Sequence, residues 1–166
     1  MQFSLIDRID VLEPGSRIEA VKNLSMAEEY LADHFPGFPV MPGVLMLEAM
    51  TQAGAWLVRA TEDFAHSMVV LKELRNVKYG QFVQPGQTLE VSAEIVDHSD
   101  KETKLKAQGQ VNGQSTVRGQ IVLRRYNLAE TSPHQATIDT SLIEELRSQF
   151  ALLTTGSRQA TDSAGV

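Results

Sequence analysis

The sequence predicts an α+β fold in which one long apolar helix is wrapped by an antiparallel sheet. Two observations carry that reading. Residues 43–58 form an apolar run opened by Pro42-Gly43, with Glu48 as its one charge, as in a helix buried on every side. After it come segments with the period-two alternation of strands that have one wet face. A helix apolar all round needs cover on several sides, and a sheet curving around it supplies that cover.

The elements follow in order. Residues 3–22 read as a β-hairpin broken by Pro14-Gly15, a turn dipeptide because proline fixes φ and glycine accepts positive φ. Residues 24–33 read as a loop with a short helical turn. The central helix is expected from Gly43 to about Ala60, and residues 68–78 are a further strand candidate. In 87–96, Leu89, Val91, Ala93 and Ile95 alternate with Glu90, Ser92 and Glu94. Residues 104–111 repeat the pattern, Asn112-Gly113 supplies a type I′ turn, and 115–125 run back. The expected division is a core over 1–128, a linker and C-terminal helix over 129–153, and a disordered tail over 154–166. Within it, 129–140 reads as linker and Ser141 with Glu144 as a capping box. Leu142, Leu146, Phe150 and Leu153 would then share one helical face.

Composition removes several classes of function. The 166 residues carry 21 acidic and 15 basic side chains, a net charge of −6, and no cysteine. A basic footprint for nucleic acid is absent. Disulfides, zinc-thiolate sites and cysteine nucleophiles are excluded together. The N-terminus lacks the basic-then-apolar order of a signal peptide, so a cytoplasmic location is expected. Residues 43–58 would span about 24 Å at 1.5 Å per residue, short of the ~30 Å hydrocarbon core of a bilayer. Neither metal-ligand spacing nor a phosphate loop is found.

The chemistry concentrates in residues 34–52. A lone carboxylate on an apolar helix must be paired, protonated or turned to a polar cavity, so Glu48 is a candidate acid. Gln52 and Val44 lie one turn away on its face. His34, fourteen residues earlier, can take and return a proton near neutrality. The free N–H groups of Gly43 and Val44 open the helix at the positive end of its dipole. A base, an acid and N–H donors for a carbonyl oxygen suit chemistry α to a thioester carbonyl. Taken singly, a histidine beside a phenylalanine and a lone buried glutamate are more often structural. Met46 and Met50 read as core packing, and His66, His98 and His134 fall in turns or the linker.

The string HFPGFPVMPGVLMLEAMTQ, from His34 to Gln52, closely resembles the signature of the β-hydroxyacyl-acyl-carrier-protein dehydratases of bacterial fatty acid synthesis, the FabZ/FabA group. Asp7-Arg8-Ile9, the run from Ala20 to Ser25 and Val83-Gln84-Pro85-Gly86 are similar to the same family, so the resemblance covers 3–125. It implies a hot-dog fold, a homodimer or trimer of dimers, and no cofactor or metal. It also implies reversible dehydration of a (3R)-hydroxyacyl thioester to the trans-2-enoyl thioester. The acyl donor implied is acyl carrier protein, with CoA thioesters the other possibility. Carried over residue by residue, His34 and Glu48 are catalytic and come from different subunits. Gly43 holds the thioester carbonyl through its N–H, the Val40 carbonyl orients the imidazole, and Gln52 steadies the carboxylate. Glutamate at position 48 matches the FabZ-like branch, where the FabA-like branch carries aspartate.

The sequence departs from the family pattern in three places. Asp33 replaces the usual glycine before the histidine. Gly80 and Gln81 stand where basic residues are usual, leaving Lys72, Arg75 and Lys78 as candidates for docking an acidic carrier. Residues 128–166 lie outside the familiar core. Two other functions compete with dehydration. One is a hot-dog thioesterase, against which His34 and the intact Pro-Gly-Val turn argue. The other is a non-catalytic acyl-binding or assembly subunit, made less fitting by the retention of both His34 and Glu48.

Overall fold

A computed structural model of the chain describes residues 3–156. Strands β1 (Arg8–Glu13) and β2 (Arg17–Asn23) form the N-terminal hairpin, with Gly15 at φ 79° in its turn. A four-residue helix α1 (Tyr30–Asp33) and a Pro/Gly-rich loop lead into α2 (Gly43–Thr61). Strands β3 (Met68–Tyr79), β4 (Thr88–His98), β5 (Glu102–Val111) and β6 (Gln114–Tyr126) complete one sheet of order β1-β2-β4-β5-β6-β3, every pair antiparallel. Asn112 at φ 50° and Gly113 at φ 77° make the β5–β6 turn, two successive positive-φ positions as a type I′ hairpin requires.

The sheet curls around α2. Ala49, Met50, Ala53, Leu57 and Val58 of the helix are almost fully buried, together with Ile18, Leu89, Val91, Leu105, Ile121 and Leu123 of the strands. Alternation sets which strand residues face the helix: Leu105 and Ala107 turn inward while Lys106 and Gln108 between and beyond them are exposed. Gly54 permits close approach, since a Cβ there would already touch Leu123 at 3.4 Å. The chain crosses from β2 through α2 to β3 at the far edge before β4 returns beside β2, so α2 lies across the sheet's concave side. The helix wrapped by an antiparallel sheet, anticipated from the apolar run and the alternation, is found, and it is the α+β hot-dog fold that the resemblance implies. Among the described residues no helix is long and apolar enough to cross a membrane.

The C-terminal region differs from expectation. The stretch read as linker, 129–140, instead holds two short 3₁₀ turns (Leu128–Glu130 and Pro133–Gln135) and the start of α3 (Ala136–Leu153). Ser141 and Glu144 therefore lie inside α3 rather than capping it. The box geometry falls instead at Asn127, whose N–H donates to the Glu130 carboxylate at 2.8 Å. The first turn of α3 is tied down by Asp139, buried at 6% exposure, which accepts the N–H groups of Leu128 and Ala129 at 2.9 Å each and the Ser67 hydroxyl. The face packed on the core is Ile143, Leu146, Phe150 and Leu153, with Ile143 in the place expected of Leu142. Phe150 stacks between Trp56 of α2 and Phe64, with ring centroids at 5.9 and 5.3 Å. The expected disorder of the tail falls, beyond Gly156, outside the described residues.

Two tests follow from this clasp. Phe150→Ala removes a half-buried ring, so its cost is about 2 kcal/mol, below the ~3–5 kcal/mol of a fully buried phenylalanine, read as a lower urea midpoint with unchanged slope. For the Asp139 carboxyl, burial pushes the pKa up, while the Ser67 hydroxyl and the Ala129 and Leu128 N–H groups together pull it down, leaving it below the ordinary aspartate value. A depressed folded-state value stabilises above the ordinary aspartate range, and that stabilisation is lost as the pH falls through the folded value. Asp139→Asn is therefore expected to lower the urea midpoint at neutral pH and to converge with the parent protein in acid. An equal deficit at all pH values would assign the aspartate a packing role alone.

Candidate active site

The Pro/Gly-rich loop places His34 at the mouth of α2. His34 ends α1, its N–H donating to the Tyr30 carbonyl at 3.2 Å. The next residue, Phe35, is at φ 51°, a left-handed conformation uncommon for a bulky side chain, and its ring meets the imidazole edge-on with centroids 4.5 Å apart. A turn bond from the Phe38 N–H to the Phe35 carbonyl at 2.7 Å and one from the Met41 N–H to the Val83 carbonyl at 2.9 Å pin the loop. Pro42 is the N-cap without a side-chain acceptor, so the first N–H groups of α2, on Gly43 and Val44, have no acceptor within the helix.

His34, Val40, Met41, Gly43, Met46 and Tyr79 line a small hollow of about 140 Å³. Val40 is buried beneath it, while Phe35, Phe38, Phe82 and Val44 are exposed around it. Gly43 is tight against Tyr79, for a Cβ would sit 2.8 Å from the ring Cε1. His34 and Val40 thus share this hollow, and no hydrogen bond joins them among the described residues.

Glu48 lies elsewhere. It borders a second hollow of about 290 Å³, with Phe3, Gln52, Trp56, Arg59, Val69 and Gln149 on its walls. Gln52 Nε2 donates to the Glu48 carboxylate at 3.0 Å and to the Phe3 carbonyl at 2.9 Å, while its Oε1 accepts the Leu5 N–H at 2.8 Å. The amide therefore fixes the carboxylate and ties α2 to the N-terminal segment at once. Within one copy, His34 and Gly43 are brought together, Glu48 and Gln52 are brought together, and the two pairs open into different hollows.

The three cations expected to dock a carrier also separate. Lys72 pairs with Glu102 at 2.6 Å and Arg75 with Glu73 at 2.6 Å. Lys78 instead joins Arg118 and Lys106 around a hollow of about 410 Å³ on the sheet's outer face, with Glu94 on the same rim. Gly80 stands where a basic residue is usual because a Cβ would meet the Ser115 carbonyl oxygen at 2.1 Å. The sequence reading did not single out Tyr79 as a wall of the His34 hollow, nor Arg59, Trp56 and Gln149 as walls of the Glu48 hollow. Arg59 was within reach, since positions 48, 52, 55 and 59 are spaced as one helical face.

The His34 to Gln52 segment sits on a hot-dog scaffold, and comparison with known proteins shows the family. The FabA-like domain family matches residues 1–124, and the chain belongs to that family. The 3-hydroxyacyl-[acyl-carrier-protein] dehydratase FabZ of Ruminiclostridium cellulolyticum is 38% identical over 119 residues, covering 72% of this chain and 84% of that protein. That of Caldicellulosiruptor saccharolyticus is 34% identical over 120 residues, covering 72% and 86%. Among solved structures, the dehydratase heterocomplex ApeI:P of Xenorhabdus doucetiae shares the fold at TM-score 0.65 and 16% identity, over 80% of this chain and 90% of that one.

The tight seat of Gly43 makes a structural prediction. Gly43→Ala is expected to fold with a melting temperature within a few degrees of the parent, because the clashing atom is the outer edge of a half-exposed ring that can swing outward. A crystal structure of the variant should show the Tyr79 ring displaced and the His34 hollow reshaped. An unmoved ring would place the clash elsewhere.

Proposed function

We propose that the chain dehydrates (3R)-hydroxyacyl thioesters to trans-2-enoyl thioesters, reversibly, as a hydro-lyase of fatty acid synthesis, with the acyl group delivered by acyl carrier protein. His34 takes the C2 proton, the carbonyl oxygen gathers the developing charge against the Gly43 and Val44 N–H groups, and Glu48 protonates the departing hydroxyl, which leaves as water. Gln52 holds the Glu48 carboxylate in register. The Val40 carbonyl orients the imidazole once substrate tightens the hollow. Family membership supports the reaction, and the placement of His34 and Glu48 supports the assignment of their roles.

One observation carries the assembly. Strand β3 is an unpaired sheet edge twelve residues long, and the His34 hollow borders its last residue, Tyr79, while the Glu48 hollow borders Val69 near its start. A second copy adding antiparallel along β3 sets the His34 hollow of one protomer against the α2 groove of the other, and completes both sites with one two-fold operation. We place the working enzyme in the cytoplasm as a homodimer or a trimer of dimers. Lys78, with Arg118 and Lys106, supplies positive charge for an acidic carrier, a local patch on a chain of net charge −6.

His34→Ala and Glu48→Gln are each expected to lower turnover of a short 3-hydroxyacyl thioester by ~10² to 10⁴ while leaving the melting curve intact. Mixing the two inactive variants in equal amounts under subunit exchange should restore activity, because about half of the dimers are then mixed and one of the two sites in each regains a full pair, about a quarter of all sites. Near-normal turnover by Glu48→Gln would remove the carboxylate from the mechanism. Thiol release in place of hydration from an enoyl thioester would make the protein a thioesterase.

A further inference from the structure

The hollow beside Glu48 ends on a cation that the proposed reaction does not use. Arg59 sits eleven residues beyond Glu48 on the same face of α2, about 16 Å further along the axis at 1.5 Å per residue. Its guanidinium lies over the Trp56 ring, 5.2 Å from the centroid, and its Nε is buried with no hydrogen-bond partner. Among the described residues it makes no ion pair. Burial lowers its pKa to about 10. Gln149 of α3, a helix lying beyond the matched family region, adds a polar side chain to the same wall.

A hydrocarbon tail pushed into this hollow would strip the remaining water from an unpaired charge and give nothing back. The Trp56 face offsets only part of that cost. An anionic oxygen group would pair with the guanidinium in two-pronged fashion, as carboxylates and phosphates do, and Gln149 would take a further oxygen. The hollow, at about 290 Å³, has room for on the order of ten non-hydrogen atoms at ~30 Å³ each. We propose that Arg59, assisted by Gln149, is a specificity-determining residue that binds an anionic oxygen group of the substrate at the far end of the Glu48 hollow.

This inference rests on the reading of Glu48 as the residue beside the reacting carbons. Two parts of such a substrate could carry the anion: a carboxylate at the end of the acyl chain, or the phosphate of the pantetheine arm. The exposed Phe35, Phe38 and Phe82 at the His34 hollow offer the arm a separate exit, which favours the acyl end as the source.

Binding of three saturated, unreactive thioesters decides the matter: octanoyl-pantetheine, its ω-carboxylated counterpart, and octanoyl-4′-phosphopantetheine, each titrated calorimetrically into the full-length protein. The expected result is that one anionic probe binds at least ten-fold tighter than octanoyl-pantetheine, with the preference shrinking as salt is added. The ω-carboxylated probe would name the acyl end, and the phosphorylated probe the arm. Arg59→Met should erase the preference, Arg59→Lys should keep part of it, and Gln149→Leu, which leaves the cation–Trp56 stack in place, should reduce it a few-fold. Absence of any anionic preference in the parent protein overturns the proposal, as does a preference that survives Arg59→Met. A dimer that dissociates on Arg59→Met, in a parent without anionic preference, also overturns it and assigns Arg59 to the subunit contact. Hydration of trans-2-octenoyl-pantetheine by the parent protein is measured separately: its failure counts against the proposed reaction, while the binding series still decides the role of Arg59.

Discussion

The structure depends on covering one helix. α2 buries ten of its nineteen residues, so most of the surface of its middle turns must be covered. A two-layer packing would cover one side only, and a sheet must curve to cover more. Small residues let it do so closely: Ala49, Ala53 and Gly54 bring Leu105 and Leu123 down onto the helix backbone. The sheet order follows from the same demand, because the chain must pass from β2 through α2 to the far edge before it returns at β4.

That coverage is incomplete in two places. At the N-terminus of α2 the Pro42-Gly43 opening leaves backbone donors uncapped and faces His34. Along the face bearing Glu48, Gln52 and Arg59, the sheet gives way to the N-terminal segment and α3, which wall a hollow without filling it. A polar face on an otherwise apolar helix is tolerable only where water, a ligand or a second chain reaches it. The unpaired edge of β3 runs alongside both gaps, so a single antiparallel edge contact would close the sheet and join them.

The segment after β6 contributes more than an appendage would. Asp139 ties it to Ser67 and to the Leu128 and Ala129 backbone, and Phe150 locks it between Trp56 and Phe64. Arg147 adds a stack over Phe64 at 4.7 Å and bonds to Asp63. By this route a helix beyond the matched family region reaches the Glu48 hollow through Gln149 and takes part in shaping it.

The sequence by itself determined whatever rests on neighbours along the chain. Alternation along 87–96 and 104–111, the Asn112-Gly113 turn and the apolar run after Pro42-Gly43 are local, and each element formed where its residues placed it. The His34 to Gln52 signature is likewise local, because both side chains and the Gly43 opening lie within nineteen residues. Only the tertiary structure decided the rest. The anchoring of the first turn of α3 rests on an aspartate that meets a serine 72 positions away. The loss of Lys72 as a free cation depends on Glu102 across the sheet, and the bareness of position 80 on a carbonyl of another strand. Arg59 and Gln149, ninety positions apart in the chain, line one hollow. Such contacts are set by packing between distant segments, and no periodicity in either segment records its partner.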